Sequence, residues 1–158
     1  MSAARVAGGC QCGAVRFVVD DALGRASICH CRMCQKAFGS FFGPYVSAPA
    51  AALRWTRGAP KHFQSSNVAQ RGFCGECGTQ LTFEPGGHWI ELAIGALDDP
   101  AAVPPAIQVC IPSRMPWFDR MSVLPGRTPE EEAAAAPHYD SIHSFQHPDR
   151  DTDRWPED

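Results

Sequence analysis

The sequence predicts a mainly β domain, and three observations carry that prediction. Short runs of β-branched and aromatic residues recur as far as Ile111. Gly, Pro, Asn and Asp interrupt them at close intervals. Fourteen prolines in 158 residues leave little room for a helical bundle, since an interior proline costs a helix about 3 kcal/mol.

Taken in order, the strand-like runs are 14–19, 40–46, 53–55, 80–83, 89–94 and 107–111. Gly58-Ala59-Pro60, Pro85-Gly86-Gly87, Asp98-Asp99-Pro100 and Pro104-Pro105 punctuate them as turns. Helical turns are expected at 32–38 and 100–103. Past Gly126 a helix should start, with Thr128 as its cap, Pro129 at its first position and Glu130, Glu131 and Glu132 facing the dipole. Pro137 is expected to stop it. From Tyr139 onward the chain is polar and Asp-rich. Its histidines, His138, His143 and His147, read as part of a mobile or loosely docked tail rather than as metal ligands.

Composition is that of an ordinary single domain, with 44% hydrophobic and 20% charged residues. No apolar run approaches the ~20 residues that span a bilayer. The N-terminal residues lack the apolar region of a secretory signal, so a cytoplasmic address is the expectation. Residues 1–125 carry a net charge of +3 and residues 126–158 a net of −6. So weak a basic balance, with no clustered patch, argues against a nucleic-acid partner.

In a reducing compartment, clustered cysteines bind metal or do chemistry more often than they form disulfides. Cys74-Gly75-Glu76-Cys77-Gly78 offers two sulfurs on a glycine-relieved turn, half of a zinc site. Cys10-Gln11-Cys12-Gly13 is its natural partner, and four thiolates close a tetrahedral site that contributes folding free energy. Cys29-His30-Cys31-Arg32-Met33-Cys34 supplies three more sulfurs within six residues. Three protein ligands leave the fourth position free, as in catalytic zinc. Spacing alone does not fix which sulfurs share an ion. A pairing in which the middle cluster completes a structural site stays open, as do disulfides if the chain is exported. A thioredoxin-like role lacks its βαβ context.

His30 reads as a neighbour of the ligands and is the nearest general-base candidate in sequence. Cys110, inside an apolar run, reads as a buried small hydrophobe. Arg32, Lys36 and Arg71 can meet substrate carboxylates, although solvated surface charge explains them as well. Phe41, Phe42, Tyr45, Trp55 and Phe63 can form a contact face, with core packing the expected use of most.

Three segments together resemble a known family: Gly8-Gly9-Cys10-Gln11-Cys12-Gly13-Ala14-Val15-Arg16-Phe17, Cys29-His30-Cys31-x-x-Cys34 followed by Gly39-Ser40, and Phe73-Cys74-x-x-Cys77-Gly78-Thr79. With Pro116-Trp117-Phe118 closing the domain, the chain is similar to the glutathione-dependent formaldehyde-activating enzymes, whose superfamily includes the centromere protein V domain. The resemblance spans residues 5–125 and leaves 126–158 as an acidic C-terminal extension, short and helical or irregular. It implies a mainly β fold with antiparallel sheets that hold zinc. It assigns Cys10, Cys12, Cys74 and Cys77 to structural zinc, and Cys29, Cys31 and Cys34 to catalytic zinc; two ions are expected, and lability of the second stays open. The implied activity is that of a carbon–sulfur lyase run in reverse: glutathione, or another small thiol, adds to formaldehyde to give S-hydroxymethylglutathione. One departure stands out. Relatives commonly carry a histidine in the strand before the Pro-Trp pair, and here that strand reads Gln108-Val109-Cys110-Ile111. The rival reading is a non-catalytic zinc-held β scaffold that binds a protein partner.

Overall fold

A computed structural model describes residues 5–156; residues 1–4 and the last two residues of the acidic extension lie outside it. In chain order the strands are β1 (Val6–Gly9), β2 (Arg16–Val19), β3 (Ala26–Cys29), β4 (Gly43–Pro49) and β5 (Leu53–Arg57). They continue with β6 (Lys61–Gln64), β7 (Gln70–Phe73), β8 (Gln80–Glu84), β9 (Trp89–Ala93) and β10 (Ile107–Val109). Helix α1 is Arg32–Phe38 and helix α2 is Pro129–Asp140.

Two sheets result, one of order β1-β2-β5 and one of order β10-β3-β4-β9-β8-β7-β6. Every pairing is antiparallel except β10 with β3, which run parallel from Ile107↔Ser27 to Val109↔Cys29. The fold is therefore mainly β, as expected, with one parallel pair in an otherwise antiparallel frame. The core holds Phe17, Val18, Val19, Val46, Leu81 and Leu92, each fully buried. Burying a side chain of this size stabilises the fold by about 1.5–3 kcal/mol. Trp55 packs edge-on against Phe17, at 5.7 Å between ring centroids.

All six strand-like runs contain a strand, but four strands carry no such signal. β6 is exposed at all four positions and lies at the sheet edge. β7 contains Gly72, β1 ends in two glycines, and β3 reads Ala-Ser-Ile-Cys. Their pairing is imposed by neighbouring strands rather than by their own side chains.

Helix α2 begins as the sequence implies, with a full capping box between Thr128 and Glu131. Its end differs from expectation. Pro137 lies inside the helix, which runs on to Asp140, and the Ser141 amide closes it on the His138 carbonyl at 3.2 Å. Pro137 forfeits its own backbone donor and crowds the preceding turn, on a helix with no buried residue.

The segment after α2 also departs from a mobile tail. His147 is 3% exposed; its backbone amide donates to the Gln11 carbonyl at 2.7 Å and its ring packs against Trp155. Arg57 donates to Thr152, and Asp151 joins Asp98 on the buried Arg16 guanidinium at 2.9 and 2.6 Å. These contacts strap the C-terminal segment across the Cys10–Cys12 loop.

Candidate metal centres and the cleft beside them

The Cys10–Cys12 loop follows β1 and the Cys74–Cys77 loop follows β7. Each is closed by a glycine with positive φ, Gly13 at 75° and Gly78 at 78°, a conformation that glycine adopts without strain. The Cys10 amide donates to the Val15 carbonyl at 2.9 Å, and the Cys74 amide to the Thr79 carbonyl at 2.9 Å. The closures turn backbone N–H groups toward sulfur, Val15 to Cys10 Sγ at 3.2 Å and Glu76 to Cys74 Sγ at 3.4 Å. The Gln11 amide donates to Thr79 Oγ1 at 3.0 Å and ties the loops together.

Cys10, Cys12, Cys74 and Cys77 thus converge, with all four sulfurs within 4.8 Å of one another. The Cys10–Cys12 and Cys12–Cys74 separations are 3.6 and 3.8 Å. Tetrahedral zinc with bonds of about 2.3 Å sets sulfurs about 3.8 Å apart. Burial pushes the Cys10 thiol up to about 12 and raises Cys12 as well. Burial acts the same way on Cys77, but hydrogen bonds from Thr79 and Cys12 outweigh it and bring that thiol down to about 6. Cys77 favours the thiolate while Cys10 and Cys12 resist it, and a divalent cation would offset that resistance. The donor set fits zinc.

The second group stands at the junction of β3 and α1. Cys29 ends the strand, Cys31 caps the helix and Cys34 lies in its first turn. These three sulfurs also lie within 4.8 Å of one another. The Cys34 amide donates to Cys31 Sγ at 3.4 Å. Burial and the nearby Cys34 thiol push Cys29 up. At Cys31 burial is outweighed by the Cys34 amide and neighbouring thiols, and its pKa falls. This set fits a metal bound by three sulfurs.

Beside it stands a residue whose position the sequence does not reveal. Arg71 is 4% exposed, so it is not the solvated surface charge the sequence allows. Its guanidinium donates to Cys34 Sγ at 3.4 Å and to the Tyr45 hydroxyl at 2.6 Å, and it lies over the Phe83 ring. Tyr45 in turn donates to Cys34 Sγ at 3.8 Å. Burial works against the Arg71 charge, but Cys34 and Tyr45 outweigh it, and the guanidinium is held charged. Among the described residues no carboxylate pairs with Arg71, so its partners are Cys34 Sγ and the Tyr45 hydroxyl. Arg32 and Lys36 are exposed, as expected of surface cations.

His30 faces away from the sulfurs. It is fully buried, its Nε2 lies 2.9 Å from Gln108 Oε1, and Phe118 and Phe42 pack edge-on against the ring. Gln108, in the strand before the Pro-Trp pair, is thereby the partner of His30. Strand alternation explains the placement, because Cys29 and Cys31 take one side and His30 the other. Gln35, which carries no sequence signal, holds this loop by donating to the carbonyls of His30 at 2.8 Å and Ser113 at 3.0 Å.

The three sulfurs open on a cleft of about 490 Å³ that runs along one face of the larger sheet. Cys110 also lines it and is exposed, contrary to the buried role its apolar run suggests. β10 ends at Val109, and the chain turns through a left-handed conformation at Cys110, with φ 57°, which swings the side chain out of the strand's pattern. Its sulfur lies outside the three-sulfur group. The aromatic residues do not form a shared face. Tyr45 is buried, Trp55 and Phe42 are half-buried, Phe41 stands against Trp117, and Phe63 is exposed on the edge strand.

A mainly β frame with one four-sulfur and one three-sulfur cluster defines a β domain with two candidate metal sites. Residues 5–113 match the profile of the glutathione-dependent formaldehyde-activating enzyme family, and the protein belongs to that family. A solved Rhodobacter sphaeroides protein, determined as a structural-genomics target, shares this fold. It has 23% sequence identity and a TM-score of 0.53, over 65% of this chain and 99% of that one. No curated protein matches the chain. Among the described residues no helix is long and apolar enough to cross a membrane.

Proposed function

We propose that the protein is a zinc-dependent carbon–sulfur lyase that joins glutathione, or a related small thiol, to formaldehyde. In this reading Cys10, Cys12, Cys74 and Cys77 hold a structural zinc, and Cys29, Cys31 and Cys34 hold a catalytic one. The extension 126–158 is then an accessory to the domain of residues 5–125. The observation that carries the proposal is a three-sulfur group at a cleft, backed by a buried arginine.

Cys29, Cys31 and Cys34 would hold the zinc, which would supply thiolate activation by favouring the ionised form of a substrate thiol. Arg71, which donates to Cys34 Sγ, would offset the negative charge that a substrate thiolate brings to this group. Tyr45, whose pKa burial raises, stays protonated and keeps its hydroxyl directed at Cys34 Sγ. Ile107 and Val109 wall the cleft on the β10 side and limit water near the sulfurs. In the reaction the thiolate sulfur forms a bond to the formaldehyde carbon. The C=O π pair moves to oxygen, and that oxygen takes up the proton the thiol released. His30 supplies no base, since its ring lies on the opposite side of the strand.

The test is the rate of S-hydroxymethylglutathione formation by zinc-loaded protein, corrected for the uncatalysed reaction. The proposal expects an enhancement that Cys31→Ser abolishes. An absent enhancement, or one that survives the substitution, would leave the scaffold reading in its place.

A further inference from the structure

The cleft has a second end, and its chemistry is unlike that of the first. Arg25 immediately precedes β3, four residues before Cys29 on the same strand path. Ser47 on β4 lies beside it, its amide 3.5 Å from the Arg25 carbonyl, and Ser47 pairs with Glu91 on β9. Arg25, Ser47 and Glu91 line the sulfur cleft and also an adjoining recess of about 390 Å³ bounded by Gly24 and Trp89. The cleft therefore continues past these three residues. A Cβ at Gly24 would come within 3.1 Å of Ser47 Cβ and 3.4 Å of the Trp89 ring, narrowing the passage.

Ser47 Oγ donates to Glu91 Oε1 at 2.6 Å, which fixes the carboxylate and leaves lone pairs for another donor. Arg25 and Glu91 do not pair with each other, and among the described residues the Arg25 guanidinium forms no ion pair. One strand separates them, so their backbones stand about 10 Å apart. A cation and an anion that line one cleft without pairing are complementary to a ligand that carries both charges. A purely anionic end would meet Glu91, and a purely cationic end would meet Arg25.

We infer that Arg25 and Glu91 form a subsite for the α-amino acid group at the far end of the thiol substrate, with Arg25 taking its carboxylate and Glu91 its ammonium. The inference rests on the thiol-activating reading of the three-sulfur group and names the class of thiol. From Arg25 to Cys29 the strand path covers about 13 Å. An extended tripeptide-sized thiol spans about 10 Å, and the arginine side chain covers the remainder. Glutathione, whose γ-glutamyl end is a free α-amino acid, has this form. A thiol that ends in a hydroxyl or an acylated amine does not.

S-methylglutathione separates this inference from the reaction, because its sulfur cannot become a thiolate. Titration calorimetry should show it binding the wild-type protein. Arg25→Met and Glu91→Gln should each weaken binding about tenfold. Acetylation of the ligand's α-amine should weaken wild-type binding similarly and remove the effect of Glu91→Gln. Circular dichroism establishes that both variants are folded, and the amide introduced by Glu91→Gln retains an acceptor for Ser47. In adduct formation the loss in Glu91→Gln should fall on KM. Failure of wild type to bind, or binding indifferent to both substitutions and to acetylation, overturns the subsite. Binding that follows the expected pattern without any adduct formation supports the subsite and counts only against the proposed reaction.

Discussion

The two sulfur clusters use the same ligand type and surround it differently. Around Cys10, Cys12, Cys74 and Cys77 the partners are largely backbone amides on two similar loops, tied together by Gln11 and Thr79 and covered by the C-terminal strap. Around Cys29, Cys31 and Cys34 the distinguishing partners are side chains, Arg71 and Tyr45, and one side opens on a cleft. Amide dipoles satisfy a charge that never changes. A buried guanidinium is suited to a site whose charge rises when a further anion arrives. Ligand count distinguishes the two clusters, and under the proposed function the second layer of contacts is what separates a structural site from a working one.

Substitution of a single ligand in each cluster should break the symmetry most visibly. Cys74 is 1% exposed and joins both loops. Cys74→Ser should lose the metal and with it cooperative folding, because structural zinc contributes about 10–16 kcal/mol in small zinc domains. Cys31→Ser should lose one metal yet keep a cooperative thermal transition. Metal analysis with calorimetry of both variants checks this, and equal loss of fold in the two would erase the distinction.

A smaller effect is expected at Arg71. Arg71→Met leaves Cys34 and Tyr45 without their charged donor. Metal affinity at the three-sulfur cluster should fall about 10- to 100-fold, with the four-sulfur cluster unaffected. Titration against a competing chelator resolves the two sites. Parallel weakening of both would show that the arginine acts on the fold rather than on its cluster.

The smallest effect concerns the strap. Burial lowers the pKa of His147 below 6.5, so the docked segment binds fewer protons than the released one. Its contribution is present above pH 6.5 and is lost as pH falls through the lowered value. Asp151, held below 3.8 by Arg16, adds a contribution lost at still lower pH. The protection factor of the His147 amide, which donates to the Gln11 carbonyl, should therefore fall on acidification below pH 6.5, once the slower intrinsic exchange at lower pH is divided out, and before the core amides of β4 lose protection. Simultaneous release of both would mean that the strap has no separate equilibrium.

Much of the frame is legible in the sequence where residues speak for themselves. The runs behind β2, β4, β5, β8 and β9 alternate or concentrate apolar residues, and the cysteine spacings mark both clusters. Edge strand β6 and the glycine-bearing β1 and β7 are silent because long-range pairing, not side-chain preference, makes them strands. Arg71 is silent for a related reason. One arginine beside a glycine carries no local mark, and its burial depends on Tyr45 and Phe83 arriving from two other strands. Cys110 misleads, since its apolar neighbours hide a backbone that turns left-handed. His147 misleads in the other direction, a polar-tail residue buried because Gly13 leaves room for its ring.

The central claim is one closed and one open zinc, and X-ray absorption on zinc-reconstituted protein tests it most directly. The account predicts two zinc ions per chain, one ligated by four sulfurs and one by three sulfurs and a light atom. Added glutathione should convert the second to four sulfurs. A single zinc, or a second zinc whose fourth ligand comes from the protein and does not exchange, would contradict it.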